Sequence, residues 1–384
     1  MQRITFLRSL ACLAALGATT AWAAEPIRIA NIVELSGAGA TSGTNFKNGV
    51  ELAVKEINAS GGILGRPIAT TTADTQSNPG VAKGLAQKAV DDKVFAVFGP
   101  VFSGSIMVSM AETRRAEVIN FTGGEAAAIT KQGNPFIYRT SFTQDTAMPK
   151  VARYIAGTLK AKTLALIYVN NDYGKGGREA LMKALQPLGV QVTADISTDQ
   201  NQVDFSAAVL KAKRSEADVV FVYTNEEESA RALRELRKQG VSKPIVGETT
   251  LVGQKVIELA GEAANGAVAH VGLTVDAPIP AMRAFSARYE RAYGSITDHN
   301  GIKGYTGVYI LKAAIEKVGK VDSAAVAKAL HGLKVSAAQH PNVIMDVSID
   351  ANGDLDRESF LVEARNGKQE VKATLPALGT AAAK

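Results

Sequence analysis

Three glycine-bearing loops carry the residues best suited to chemistry. Residues 98–105 read F-G-P-V-F-S-G-S, with Ser103 placed as the N-cap of a helix. A helix start offers unpaired amides and partial positive charge, which suits a carboxylate ligand. Residues 121–125 read F-T-G-G-E, so Gly123 and Gly124 follow a strand and Glu125 adds a carboxylate. Open α/β sheets bind ligands at that end of their strands. Residues 37–43 read G-A-G-A-T-S-G between a strand and a helix. The G-x-G-x-x-x-G spacing is a loose match to a dinucleotide fingerprint. Asp74 follows about 30 residues on, where about 20 are expected. The loop therefore reads as a turn whose amides face a cleft.

Other chemistry is missing from the motifs. The chain has no G-x-x-x-x-G-K-[ST], no G-x-S-x-G and no H-E-x-x-H. His270, His299, His331 and His340 fit no metal-ligand spacing. Asp350-x-Asn352-x-Asp354 starts like a calcium loop, but its glycine comes fourth and Leu361 stands where a bidentate Glu is needed. No metal, no cofactor and no catalytic set is expected.

The elements that hold these loops alternate strand and helix. Apolar runs at 27–35, 67–73, 94–98 and 118–121 read as buried strands, with helical stripes between them. Phe46, Val50, Ala53, Val54 and Ile57 form one such stripe. The rhythm restarts at Met148 and runs through strands at 164–169, 190–196, 219–223 and 245–247. Near-continuous apolar strands between helices predict parallel sheets covered on both faces. The last third holds helices at 302–318 and 323–330, then hairpins turning at Asn352-Gly353 and Asn366-Gly367.

The chain has 384 residues, 46% apolar and 21% charged, enough apolar material for a large core and too much for a disordered chain. Its net charge of +6 is spread thinly, which argues against nucleic acid. Cys12 is the one cysteine, so no internal disulfide forms. Arg3 and Arg8, the apolar stretch 10–18 and Ala21-Trp22-Ala23 read as a secretory signal peptide cleaved after Ala23 or one residue later. The apolar run is well short of the roughly 20 residues a membrane span needs.

In order, L-S-G-A-G-A-T-S-G (35–43), A-V-K-E-I-N-A-S-G-G-I-L-G (53–65), D-T-Q-S-N-P (74–79), F-G-P-V-F-S-G-S (98–105), D-Y-G-K-G (172–176) and G-D-L (353–355) carry a resemblance. The chain resembles the type I periplasmic solute-binding proteins, specifically the leucine/isoleucine/valine-binding protein family of ABC importers, over residues 27–365. The resemblance implies an α/β flytrap: two doubly wound lobes with parallel central sheets, joined by three hinge crossings near 139–142, His270 and Met345. The expected division is 1–23 signal peptide, 24–141 plus 270–345 lobe 1, 142–269 plus 346–375 lobe 2, and 376–384 an Ala-rich tail. It also implies a monomer without catalysis, located in the periplasm. Such a protein takes up a small molecule and passes it to an inner-membrane ABC permease.

The resemblance also implies a site, position by position. Ser103 falls on the carboxylate-binding serine, and 122–126 on the loop that supplies amides and a hydroxyl. The usual Thr of that loop is replaced by Glu125 or Ala126. Tyr173 falls on a second-lobe tyrosine, while Asn225 stands where a second aromatic is usual. Thr249, with Glu248 before it, falls on the acid that pairs with a ligand ammonium, and Ser42 falls on an aromatic wall residue. Two charge readings follow. Either Glu125 or Glu248 pairs with the ammonium of a branched-chain or related amino acid, or of an amide. Otherwise the ligand is an amine-free aromatic or aliphatic acid. An exported enzyme built on the 37–43 loop ranks below both.

Overall fold

The structure, a computed structural model, describes residues 25–378, so the signal read at 1–23, Cys12 and the end of the tail lie outside the described residues. The first lobe is built from β1 (Ile27–Val33), α1 (Ala40–Ala59), β2 (Ile68–Asp74), α2 (Pro79–Asp91), β3 (Ala96–Phe98), α3 (Ser103–Arg115), β4 (Ile119–Thr122) and β5 (Ile137–Arg139). Its five strands run in the order β2-β1-β3-β4-β5, all parallel. Asn78 caps α2 with its side chain and Pro79 opens that helix, as the turn D-T-Q-S-N-P requires.

The second lobe holds α4 (Gln144–Arg153), β6 (Thr163–Val169), α5 (Asp172–Leu185), β7 (Gln191–Thr198), α6 (Ser206–Arg214), β8 (Val219–Tyr223), α7 (Glu226–Lys238), β9 (Ile245–Glu248), α8 (Gln254–Ala260) and β10 (Ala267–Val271). The chain then adds α9 (Pro280–Tyr293), α10 (His299–Val318) and α11 (Ser323–Leu330). A small antiparallel sheet follows, made of β11 (Lys334–Val335), β12 (Val347–Ile349) and β13 (Leu355–Asp356). Finally β14 (Ser359–Arg365) and β15 (Lys368–Leu375) return to the second sheet, whose order is β15-β14-β10-β9-β8-β6-β7. That sheet is parallel from β10 to β7, and the hairpin β14–β15 runs antiparallel at its edge.

Helices α9 and α10 pack on α1 of the first lobe. Their backbones come close because side chains are missing where they cross. A Cβ on Gly49 would stand 2.0 Å from the Gly301 carbonyl oxygen, and one on Gly304 would stand 2.2 Å from that of Phe46. Polar clamps finish the packing: Arg288 and Tyr305 both bond Glu56, and Tyr289 donates to Asn45. This close crossing fixes where Lys303 on α10 points.

The segments joining the lobes are held by one buried arginine. Arg139 ends β5 with no solvent exposure. It donates to the carbonyls of Gly124 (2.7 Å) and Ala126 (2.6 Å) and pairs with Asp354 between β12 and β13. Asp354, part of the rejected calcium pattern, is thus a partner of Arg139, and Asp350 accepts from the Asn352 and Asp354 amides.

Candidate functional site

A cavity of about 260 Å³ lies between the lobes. Ser42, Ser103, Gly123, Gly124 and Glu125 line it from the first lobe, and Tyr173 and Asn225 from the second. The remaining two expected residues, Glu248 and Thr249, do not line it. They border a pocket of about 10 Å³, room for about one water, that shares Glu125, His299 and Lys303 with the main cavity.

The first-lobe wall is an anion-ready surface. Ser103 is not the N-cap read from sequence: Phe102 takes that position in extended backbone, with no side-chain cap. Ser103 instead opens the helix, and its hydroxyl accepts from the Ala126 amide at 3.3 Å. The first-turn amides of α3 therefore lack an intrahelical partner and face the cavity. Glu34 holds the loop before them, accepting from the Val101 and Phe102 amides while burial raises its pKa. Gly124 gives the loop room here, since a Cβ would lie 2.3 Å from the Ile106 side-chain tip, which would have to move. Helices α5, α7 and α10 also begin at the cavity. Asn171 caps α5 by accepting from Gly174, and Asp298 caps α10.

The floor is a buried charge cluster. Lys303, 4% exposed, donates to Glu125 Oε1 at 3.2 Å and to the Gly123 carbonyl at 3.3 Å. Burial, then the neighbouring Glu248, pushes Glu125 up to about 7 against the pull of Lys303. Burial also raises Glu248, which accepts from Thr249 at 2.7 Å and meets His270 Nδ1 at 3.0 Å. Burial holds His270 down to about 3, so its ring is neutral where Nδ1 meets Glu248.

The second-lobe wall is aromatic. Tyr173 stacks on Tyr223 with centroids 4.2 Å apart, and its hydroxyl meets Thr250 at 3.2 Å. Gly177 leaves room for this stack, since a Cβ would stand 2.0 Å from Tyr223. Gln144 ties it to the hinge by donating to the Tyr223 hydroxyl and the Tyr173 carbonyl. Glu226, at the start of α7, accepts from Ser42 at 2.8 Å across the cleft. Burial pushes Glu226 up to about 7. Among the described residues no group of three or more His, Cys, Asp and Glu is placed to hold a metal, and no helix is long and apolar enough to cross a membrane.

Sequence reasoning missed Lys303, Glu226, Thr250, Tyr223 and His299. The available signal was Lys303 itself, a lysine on the apolar helix 302–318. Glu226 was masked by the run E-E-E at 226–228, which reads as a solvated helix start.

The known proteins agree with this architecture. The family described as periplasmic binding protein matches residues 26–369. The Leu/Ile/Val-binding protein BraC3 of Rhizobium johnstonii is 30% identical, covering 87% of this chain and 90% of that protein. LivJ, a branched-chain amino acid transporter substrate-binding protein of Streptococcus pneumoniae solved with isoleucine, has a TM-score of 0.82 and is 26% identical over 91% of this chain and 99% of that one. A solute-binding protein of Rhodopseudomonas palustris, solved with 3,4-dihydroxybenzoic acid, has a TM-score of 0.83 at 21% identity, over 92% and 98% of the two chains. The chain therefore belongs to the periplasmic binding protein family, with the Leu/Ile/Val-binding proteins of ABC transporters among its relatives, and its business is to bind a small solute, not to catalyse.

Proposed function

We propose that the protein is the exported solute-capture component of an ABC importer, and that its ligand is a small carboxylate enclosed between the lobes. Residues 1–23 direct export and are removed. The parts 24–141 with 270–345, and 142–269 with 346–375, move as lobes about the three crossings. The monomer delivers its solute to an inner-membrane permease. The observation that carries the reading is the uncapped start of α3: Ser103 and the Gly123-Gly124 turn face an enclosed cavity whose opposite wall is Tyr173. Free amides and a helix dipole stabilise an anion there, and the lobes close only by as much as the ligand prefers the closed state.

A branched-chain amino acid is a second reading. It is supported by the name of the 30% identical relative and by Glu226, a carboxylate on the cavity wall. A thermal-shift screen of the mature protein tests the carboxylate reading. The panel holds branched-chain and aromatic amino acids, short amides, and aromatic, aliphatic and dicarboxylic acids, with hits confirmed by calorimetry. A ligand at about 100 times Kd adds roughly 2.7 kcal/mol of stability. A clear shift with carboxylates supports the proposal; shifts confined to the neutral amides overturn it.

A further inference from the structure

Lys303 is the only lysine or arginine among the described residues that line the cavity. It stands on a helix whose first three turns are almost wholly buried. Its two acceptors are the ones an incoming ammonium would need: the Glu125 carboxylate at 3.2 Å and the Gly123 carbonyl at 3.3 Å. Both belong to the loop that lines the cavity beside the uncapped start of α3, where the carboxylate-binding amides lie. The other floor acid, Glu248, gives one oxygen to Thr249 and His270 while its buried Oε2 has no hydrogen-bond partner, but it borders the small pocket beneath and not the cavity itself. Glu226 is held by Ser42 on the far wall.

We infer that Lys303 is a tethered ammonium: it occupies the place beside Glu125 where an amino acid would put its own, and so sets the site's specificity toward amine-free carboxylates. This rests on the carboxylate reading above. Two cations beside one carboxyl would repel each other in a site with little water. An ammonium denied those acceptors would have to compete with Ser42 for Glu226 on the far wall or stay buried without a partner, at heavy cost. A ligand carboxylate meets the opposite conditions. It finds the α3 amides, and Lys303 uses two of its three N–H donors on the chain, leaving one for the ligand.

The test uses ligand pairs that differ only by the α-amino group: 4-methylpentanoate against leucine, 3-methylbutanoate against valine, and 3-phenylpropanoate against phenylalanine. Calorimetric Kd values are measured on the full mature protein and on Lys303→Met. In the native protein the amine-free member of the best-bound pair is expected to be tighter by about tenfold or more. In K303M, Glu125 and the Gly123 carbonyl are open to the ligand ammonium, and the preference is expected to move toward the amino acid by about tenfold or more. Tighter native binding of the amino acids, or an unchanged preference in a folded K303M, overturns the inference while leaving the carboxylate reading intact. Binding of neither member of any pair, and of no other acid or amino acid in the screen, overturns the carboxylate reading and the inference with it, while binding confined to the amine-free acids of the screen supports both. The native comparison decides the matter alone if K303M does not fold.

Discussion

The Ser42 hydroxyl on α1 and the Glu226 carboxylate at the start of α7 meet at 2.8 Å, joining the two lobes across the cleft. Ser42 belongs to the first glycine-rich loop and helix, and Glu226 follows the strand β8 of the other lobe. Such a contact exists only when the cleft is shut. Ser42→Ala should therefore weaken ligand binding by about 0.5–1.5 kcal/mol, the net worth of one hydrogen bond. The melting temperature without ligand should barely change. Calorimetry beside a thermal melt separates the two effects.

The same contact gives closure a pH dependence. Burial raises Glu226 from the ordinary 4.5 to about 7, and opening the cleft returns it toward its ordinary value. The closed form therefore holds the proton more tightly. Its advantage is complete below about pH 4.5 and is lost as pH rises through about 7. Ligand-free protein should be more compact at about pH 5 than at about pH 8 by small-angle scattering. Glu226→Gln should reduce that difference; an equal difference in the variant would place its origin elsewhere.

The two glycines of the anion loop should behave differently. A Cβ on Gly123 meets Phe46 at 3.4 Å, an ordinary contact, whereas one on Gly124 lies 2.3 Å from Ile106. Gly124→Ala should cost about 1–3 kcal/mol in stability by overpacking and should weaken ligand binding as the loop shifts. Gly123→Ala should be much milder in the melt. Parallel melts and titrations of the two variants check the contrast.

Arg139 should be among the most sensitive positions. It is wholly buried, ion-paired with Asp354, and bonded to the carbonyls of Gly124 and Ala126. Arg139→Met takes the guanidinium from Asp354, which keeps Thr130, and from the Gly124 carbonyl, which keeps Ser141, and removes the side-chain donor of the Ala126 carbonyl. The expected loss is about 3–5 kcal/mol by chemical denaturation. A loss under about 1 kcal/mol would mean that water replaces the guanidinium.

The order of strands and helices was legible because its cause is local. Parallel strands buried on both faces read as apolar runs, and helices read as apolar stripes. The loops were legible because Gly and Ser at strand ends have few other uses. Charge partnership was not, because it is set by contacts distant in sequence. Glu125 reads as a free acid until α10 crosses α1 on Gly49, Gly301 and Gly304 and delivers Lys303 to it. Glu248 reads as one step from the ligand, yet it ends β9 turned to His270 of the neighbouring strand β10. Ser103 reads as a cap by type, but Phe102 takes the extended cap backbone and frees the hydroxyl for Ala126.

The central claim is capture of a small carboxylate by closure of two lobes. Small-angle scattering of the purified mature protein, with and without a saturating carboxylate from the calorimetric panel, tests it most directly. The radius of gyration should be smaller with ligand, and the change should be smaller in Ser42→Ala at equal saturation. An unchanged radius with a ligand that calorimetry shows to be bound would contradict it.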